Sequence, residues 1–240
     1  MHVGYKNTEN QRARFLLAFF LVAMTACATT QQANTVEKSG FLDDYSILEK
    51  GAGDSKALLR YVNPVADWKQ YTKVMIDPIQ IWTGEGSSLR NIPQEDRIRL
   101  TSLLLGKLRN ALLPDYRIVR EAGPHVMRLS VALTEAEASH TVLDTISSVL
   151  PTGYLFSGTK SLATGTGTFV GSASIEAKIT DADLGTLLAA AVDRRGGAKS
   201  LSGVTSEWDD VEESFQYWAN TLRYRLCQWR SEHSCVQPTE

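Results

Sequence analysis

Apolar positions recur along this chain with two different periods. Over residues 93–113, Ile98, Leu105, Leu108 and Leu112 make a stripe, widened by Leu104 and Ala111, while Arg99, Lys107 and Asn110 face elsewhere. The spacing predicts an amphipathic helix, capped by Asn91, with Pro93, Glu95 and Asp96 in its first turn and Pro114 as its stop. A second stripe, Val211, Phe215, Trp218, Leu222, Leu226 and Trp229, predicts a helix over 207–229 with Ser206 as its cap.

Elsewhere the period is two. Met127, Leu129, Val131 and Leu133 alternate with Arg128, Ser130 and Thr134, the pattern of a half-buried strand over 126–134. Residues 169–180 place Phe169, Ala173, Ile175, Ala177 and Ile179 on one face and Glu176 and Lys178 on the other. The run 181–185 then turns the chain, and 186–193 returns as an antiparallel partner whose many alanines predict close packing under a helix. Shorter strands are expected over 57–62, 71–82 and 116–120. Within 71–82, Val74 and Ile76 give way to Ile79 and Ile81 one step out of phase. The slip straddles Asp77-Pro78, which predicts a bulge or an edge position there. Residues 41–45 read as a docking segment and 194–206 as a loop.

These elements predict an α+β fold: a mostly antiparallel sheet of about five strands with two main helices packed on one face. They form a single domain over 40–240, with 138–167 as an insertion between strands. In that insertion Val142 and Ile146 have helical spacing, and Tyr154, Leu155 and Phe156 are bracketed by glycines. Standing away from the core, these five residues would be a sticky partner surface. Folded back, they would be a core lid. The sequence leaves both readings open.

The first residues change the picture. Lys6, Arg12 and Arg14 precede an apolar run over 15–24, and Thr25-Ala26 then leads to Cys27. That order predicts a signal peptide over 1–26. The apolar run is well short of the roughly 20 residues a membrane-spanning helix needs. Met24-Thr25-Ala26-Cys27 resembles the lipobox of bacterial lipoproteins, with Met24 where Leu, Val or Ile is usual. The resemblance implies lipid (palmitate among its acyl groups) on Cys27, cleavage before it, and a bilayer as partner through those acyl groups. Ala28 stands where Asp commonly signals inner-membrane retention, which implies the outer membrane, facing the periplasm. Residues 27–39 are small and polar and are expected to be a flexible tether. With Cys27 committed to lipid, Cys227 and Cys235 remain as an even pair, expected to form a disulfide that pins the tail to the last helix.

Composition narrows the partners. The chain has 240 residues, a net charge of −2 and no dominant basic stripe, which argues against nucleic acid. Later segments carry a second resemblance. The stretches 39–45, 61–64 (Tyr-Val-Asn-Pro) and 71–78 (Tyr-Thr-Lys-Val-Met-Ile-Asp-Pro) resemble the DUF3313 family of uncharacterised bacterial lipoproteins. So do 132–134, 169–173, 176–177 and 189–195. The resemblance spans nearly the whole mature chain and implies no catalytic residues.

Candidate chemistry is sparse. His125, His140 and His233 have no metal-ligand spacing, so no metal is expected. The glycines at 165, 167 and 171 precede a strand instead of opening a helix, and no cofactor motif follows from them. Asp181, Asp183 and Gly185 have a hairpin's composition and lack a calcium loop's further ligands. Glu135, Glu137, Glu176 and Asp193 could bring carboxylates together on the sheet, while Asp77, Asp193, Arg194 and Arg195 could form a structural ion-pair cluster. Two functions follow. The first is an envelope lipoprotein with a non-catalytic binding or structural domain and an envelope protein partner. The second is an envelope hydrolase acting on cell-wall or lipid material through those sheet carboxylates.

Overall fold

In the computed structural model, residues 30–51, 57–83, 87–138, 171–197 and 208–238 are described. The strands are β1 (Thr30–Gln32), β2 (Glu49–Lys50), β3 (Leu59–Val62), β4 (Lys73–Ile76), β5 (Gln80–Ile81), β6 (Arg117–Val119), β7 (Val126–Glu137), β8 (Ser172–Asp181) and β9 (Leu187–Gly197). The helices are α1 (Gln94–Leu112) and α2 (Asp209–Trp229). The fold is α+β as expected, but the sheet has nine strands among the described residues, in the order β2-β3-β9-β8-β7-β4-β6, with β1 also on β9 and β5 also on β7.

The sheet is also more mixed than expected. β7, β8 and β9 form an antiparallel meander, whereas β4 runs parallel to both β6 and β7. The cause is α1, which separates β4 from β6 and gives the chain room to return in the same direction. The phase slip at Asp77-Pro78 is resolved by pairing. Ile76 lies opposite Leu129 and Gln80 opposite Ala132, so β4–β5 advances four positions while β7 advances three. The extra residue is the predicted bulge, and Pro78 sits where no ladder donor is needed.

Both helices pack on one face. α1 buries Leu100, Leu104, Leu108, Ala111 and Leu112, with Glu95 and Asp96 in the first turn where the helix dipole favours acids. Its stripe is rotated from the expected one: Ile98 is 58% exposed and Leu100 takes the core position. Pro93 is the residue at its cap, and no side chain bonds there. α2 buries Val211, Phe215, Trp218 and Leu226 as expected, and Ser214, Tyr217 and Ala219 as well. It is held between the sheet and α1, so more than one stripe is covered.

The other face of the sheet is covered too. Phe41 and Leu42 pack with Ala132, Ala190 and Val192 in a second apolar cluster. The segment 41–45 thus docks as its composition suggested. The tether is corrected in part. Thr30–Gln32 is a strand, paired antiparallel with residues 195–197 of β9, and Ala33 is buried, its N–H donating to the Arg194 carbonyl at 2.9 Å. An unpaired edge of β9 offers backbone partners to any extended segment, whatever its side-chain pattern. Residues 194–197, expected as loop, are the end of β9 for the same reason.

Candidate functional site

The sheet carries its charges on two faces. Glu176 lies opposite Val192, and Asp193 opposite Ile175, on adjacent strands. Side chains alternate faces along a strand, so the two carboxylates point to opposite sides of the sheet. Glu176 is fully buried on the face away from the helices. It accepts hydrogen bonds from the Ser39 N–H at 2.6 Å and from the Tyr45 hydroxyl. Burial, then the bond to Glu176, pushes the Tyr45 phenol up. Lys178 pairs with Asp43 at 2.7 Å, and the Trp82 indole N–H donates to the Ser39 carbonyl at 3.0 Å. Residues 39–45 therefore cap this face.

Along the same face Arg194 is buried and pairs with Glu135, with Glu137 at 3.6 Å and the Ser172 hydroxyl at 3.1 Å. Asp77 is not in this group: it pairs with Arg128 at 2.9 Å and accepts from the Ser130 hydroxyl at 2.6 Å. The expected four-residue ion cluster is thus dispersed, with Arg194 in one arrangement and Asp77 in another. Asp193 and Arg195 belong to neither, because their parity turns them toward the helices.

On the helix face Asp193 accepts from the Gln32 amide at 2.7 Å, the Leu58 N–H at 3.1 Å and the Trp218 indole at 2.7 Å. Complete burial pushes its carboxyl up, against the lowering pull of Trp218, Gln32 and Arg195. Arg195 donates to the Thr30 hydroxyl at 2.8 Å and its carbonyl at 2.7 Å, and its guanidinium lies 3.6 Å from the centre of the Tyr217 ring. These bonds fasten β1 to β9. Glu135, Glu137, Glu176 and Asp193 are each engaged in a local bond, and the sheet does not gather them into one cleft.

What lies beside Asp193 is a cavity of about 130 Å³ between the sheet and α2. Ala177, Ala189 and Ala191 floor it, and Trp218 and Leu222 cover it. The alanines do not pack the helix tightly onto the sheet, as expected from sequence. They leave space beneath it. Arg60 and Arg225, both half-buried, also line it. No sequence motif marked either arginine. The short β3 gives too little alternation to reveal that Arg60 shares a face with Val62.

Of the residues marked from sequence, Cys227 and Cys235 form the expected disulfide, with 5.7 Å between their Cα atoms. Cys27 lies outside the described residues, as do Val142, Ile146, Tyr154, Leu155 and Phe156. The chain enters and leaves the insertion at one end of the sheet, where Glu137 pairs with Ser172 and Thr30 with Gly197. Among the described residues no helix is long and apolar enough to cross a membrane.

The model of the DUF3313 family, described as a protein of unknown function, matches residues 37–222. No curated protein matches the chain. Among solved structures, the PelC dodecamer from Paraburkholderia phytofirmans is 14% identical, covering 73% of this chain and 96% of that one, with a TM-score of 0.36. A Xanthomonas campestris protein of the DUF330 family is 10% identical, covering 71% and 92%, with a TM-score of 0.38. A Caulobacter crescentus protein, provisionally described as a lipoprotein, is 14% identical, covering 56% and 86%, with a TM-score of 0.33.

Proposed function

The chain belongs to the DUF3313 family, and from that premise we propose that it is a lipid-anchored envelope protein whose domain binds a partner and does not catalyse. The anchor is Cys27, the membrane the outer one, and the domain works on the periplasmic side. The observation that carries the reading is the position of β1. It begins at Thr30, three residues after Cys27, and is fastened to β9 through Arg195. A lipid on Cys27 would therefore hold the folded domain itself at the bilayer. Two or more acyl chains anchor stably where one does not.

The hydrolase reading loses its support at the carboxylates. Glu176 and Asp193 face opposite sides of the sheet, each already accepting hydrogen bonds from local donors. A pair of acids serving one glycosidic bond must flank a shared cleft.

Metabolic labelling with an alkyne fatty acid tests the anchor. The wild type is expected to take the label and Cys27→Ala to lose it. A mature protein that carries a free thiol at Cys27, or still begins at Met1, would overturn the reading. In-cell crosslinking is expected to return a reproducible envelope protein partner that disappears when the domain is unfolded by mutation. Recovery of lipid alone would count against the binding role.

A further inference from the structure

We propose that the cavity between the sheet and α2 is a binding site for a small neutral aromatic molecule with one hydroxyl group, of the size and polarity of a phenol. The inference rests neither on the anchor nor on a protein partner. Three observations carry it.

The first is the floor. Ala177 and Ala191 stand opposite each other on β8 and β9, and Ala189 lies two positions from Ala191 on the same face. None reaches beyond its β-carbon, so the space between them and α2 amounts to about 130 Å³. A dry apolar cavity of about 150 Å³ takes up a benzene ring. The ring restores dispersion contacts that the lining atoms otherwise lack.

The second is the wall. Tyr217, Trp218 and Trp229 line the cavity from α2. Aromatic side chains favour a further ring set edge-on or offset against them. Two of the charged groups in the lining are engaged elsewhere. Arg225 donates to the Gln228 side chain at 2.6 Å and lies over the Tyr224 ring. Asp193 is held by Gln32, Leu58 and Trp218. Neither calls for an ionic ligand. Arg60 lines the cavity as well and is half-buried, so an anion of the same ring belongs in the test.

The third is Thr221. It lines the cavity from α2, and its hydroxyl is buried with no hydrogen-bond partner. A buried polar group left unsatisfied carries a desolvation cost. The hydroxyl of a phenol can donate to it or accept from it. A hydrocarbon of the same shape can do neither.

The test uses the full-length chain carrying Cys27→Ala, so that no acyl group at that position competes. It is titrated with para-fluorophenol and para-fluorotoluene, followed by fluorine NMR. The two probes have nearly the same shape and differ in the hydroxyl. Saturable binding of both is expected, since burial of the ring drives each. Thr221→Val keeps the shape of the side chain and removes its hydroxyl. That change should weaken para-fluorophenol about fivefold, the loss of one hydrogen bond, and leave para-fluorotoluene unchanged. Ala191→Leu should abolish binding of both probes with an unchanged circular dichroism spectrum. If that variant unfolds, Ala177→Val fills the same space from the next strand. Absence of saturable binding, binding that survives the filling variants, or an equal effect of Thr221→Val on the two probes overturns the site. Tighter binding of para-fluorobenzoate than of para-fluorophenol would assign it to anions through Arg60 and overturn the neutral class.

Discussion

Asp193 shows how much one side chain can fix. Three donors from three parts of the chain, Gln32 in β1, Leu58 before β3 and Trp218 in α2, converge on its carboxylate. Asp193→Ala would remove all three bonds, and the buried Trp218 N–H left without this acceptor alone costs about 1–3 kcal/mol. A loss of at least that order is expected, read as a lower urea midpoint at constant slope. Asp210 gives a pH signature. Burial raises its carboxyl, and the charge of Asp209 adds to this, while the Gly171 N–H at 2.7 Å opposes it. The native state then holds a proton at pH values where the unfolded chain has released it. Its contribution to stability is present toward the ordinary value of 3.8 and is lost as pH rises through the raised one. Relative to Asp210→Asn, the wild type should gain stability as pH falls from neutrality toward 3.8. Parallel curves for the two proteins would refute the assignment. Asp193 was marked in the sequence, but the side of the sheet that it faces was not. Turn position alone suggests a β8–β9 pairing, yet a register shift between Ile179 and Thr180 breaks simple counting from the turn. One slipped position moves a carboxylate to the opposite side of the sheet.

Among elements, length decided what could be read. α1 and α2 span 19 and 21 residues, enough turns for a stripe to declare itself. β7, β8 and β9 run 12, 10 and 11 residues, and their alternation was equally plain. β1, β2, β5 and β6 have two or three residues each, too few to show a period. β1 is the instructive miss, because its polar sequence reads as linker and only the open edge of β9 makes it a strand. Its hold depends on Thr30, which is buried against Arg195. Thr30→Val keeps the shape and removes the hydroxyl acceptor, for an expected cost of about 1–3 kcal/mol. Hydrogen exchange should localise the loss to β1; uniform loosening of the sheet would contradict it. The disulfide was visible from cysteine count alone. It closes a loop with a sequence separation of 8 at the exposed end of α2. Its reduction should lower stability by about 2–3 kcal/mol on loop entropy. The exposed tail 231–238 should loosen first, read as faster exchange there with α2 still protected.

At the scale of the whole molecule, β1 sets how the domain meets whatever holds Cys27. From Cys27 to Thr30 the chain spans at most about 10 Å, three residues at full extension. The end of the sheet at Thr30, Gly197 and Ser172 is therefore kept near Cys27. The turn after β8 lies at the other end, ten residues of strand away, or roughly 33 Å. Leu184 in that turn is 77% exposed, and Gln31 in β1 is exposed too, so either can carry a probe without disturbing a core. With the protein in vesicles containing a lipid-borne quencher, a fluorophore at Gln31→Cys should be strongly quenched and one at Leu184→Cys several-fold less. Inserting twelve Gly/Ser residues after Ala28 adds about 20 Å of root-mean-square reach. That insertion should relax the contrast between the two positions without altering fatty-acid labelling. If Gln31 is already unquenched in the parent chain, the anchor is not where the lipobox resemblance puts it. If both positions are quenched equally, the domain lies flat on the bilayer, and the short leash fixes distance without fixing orientation.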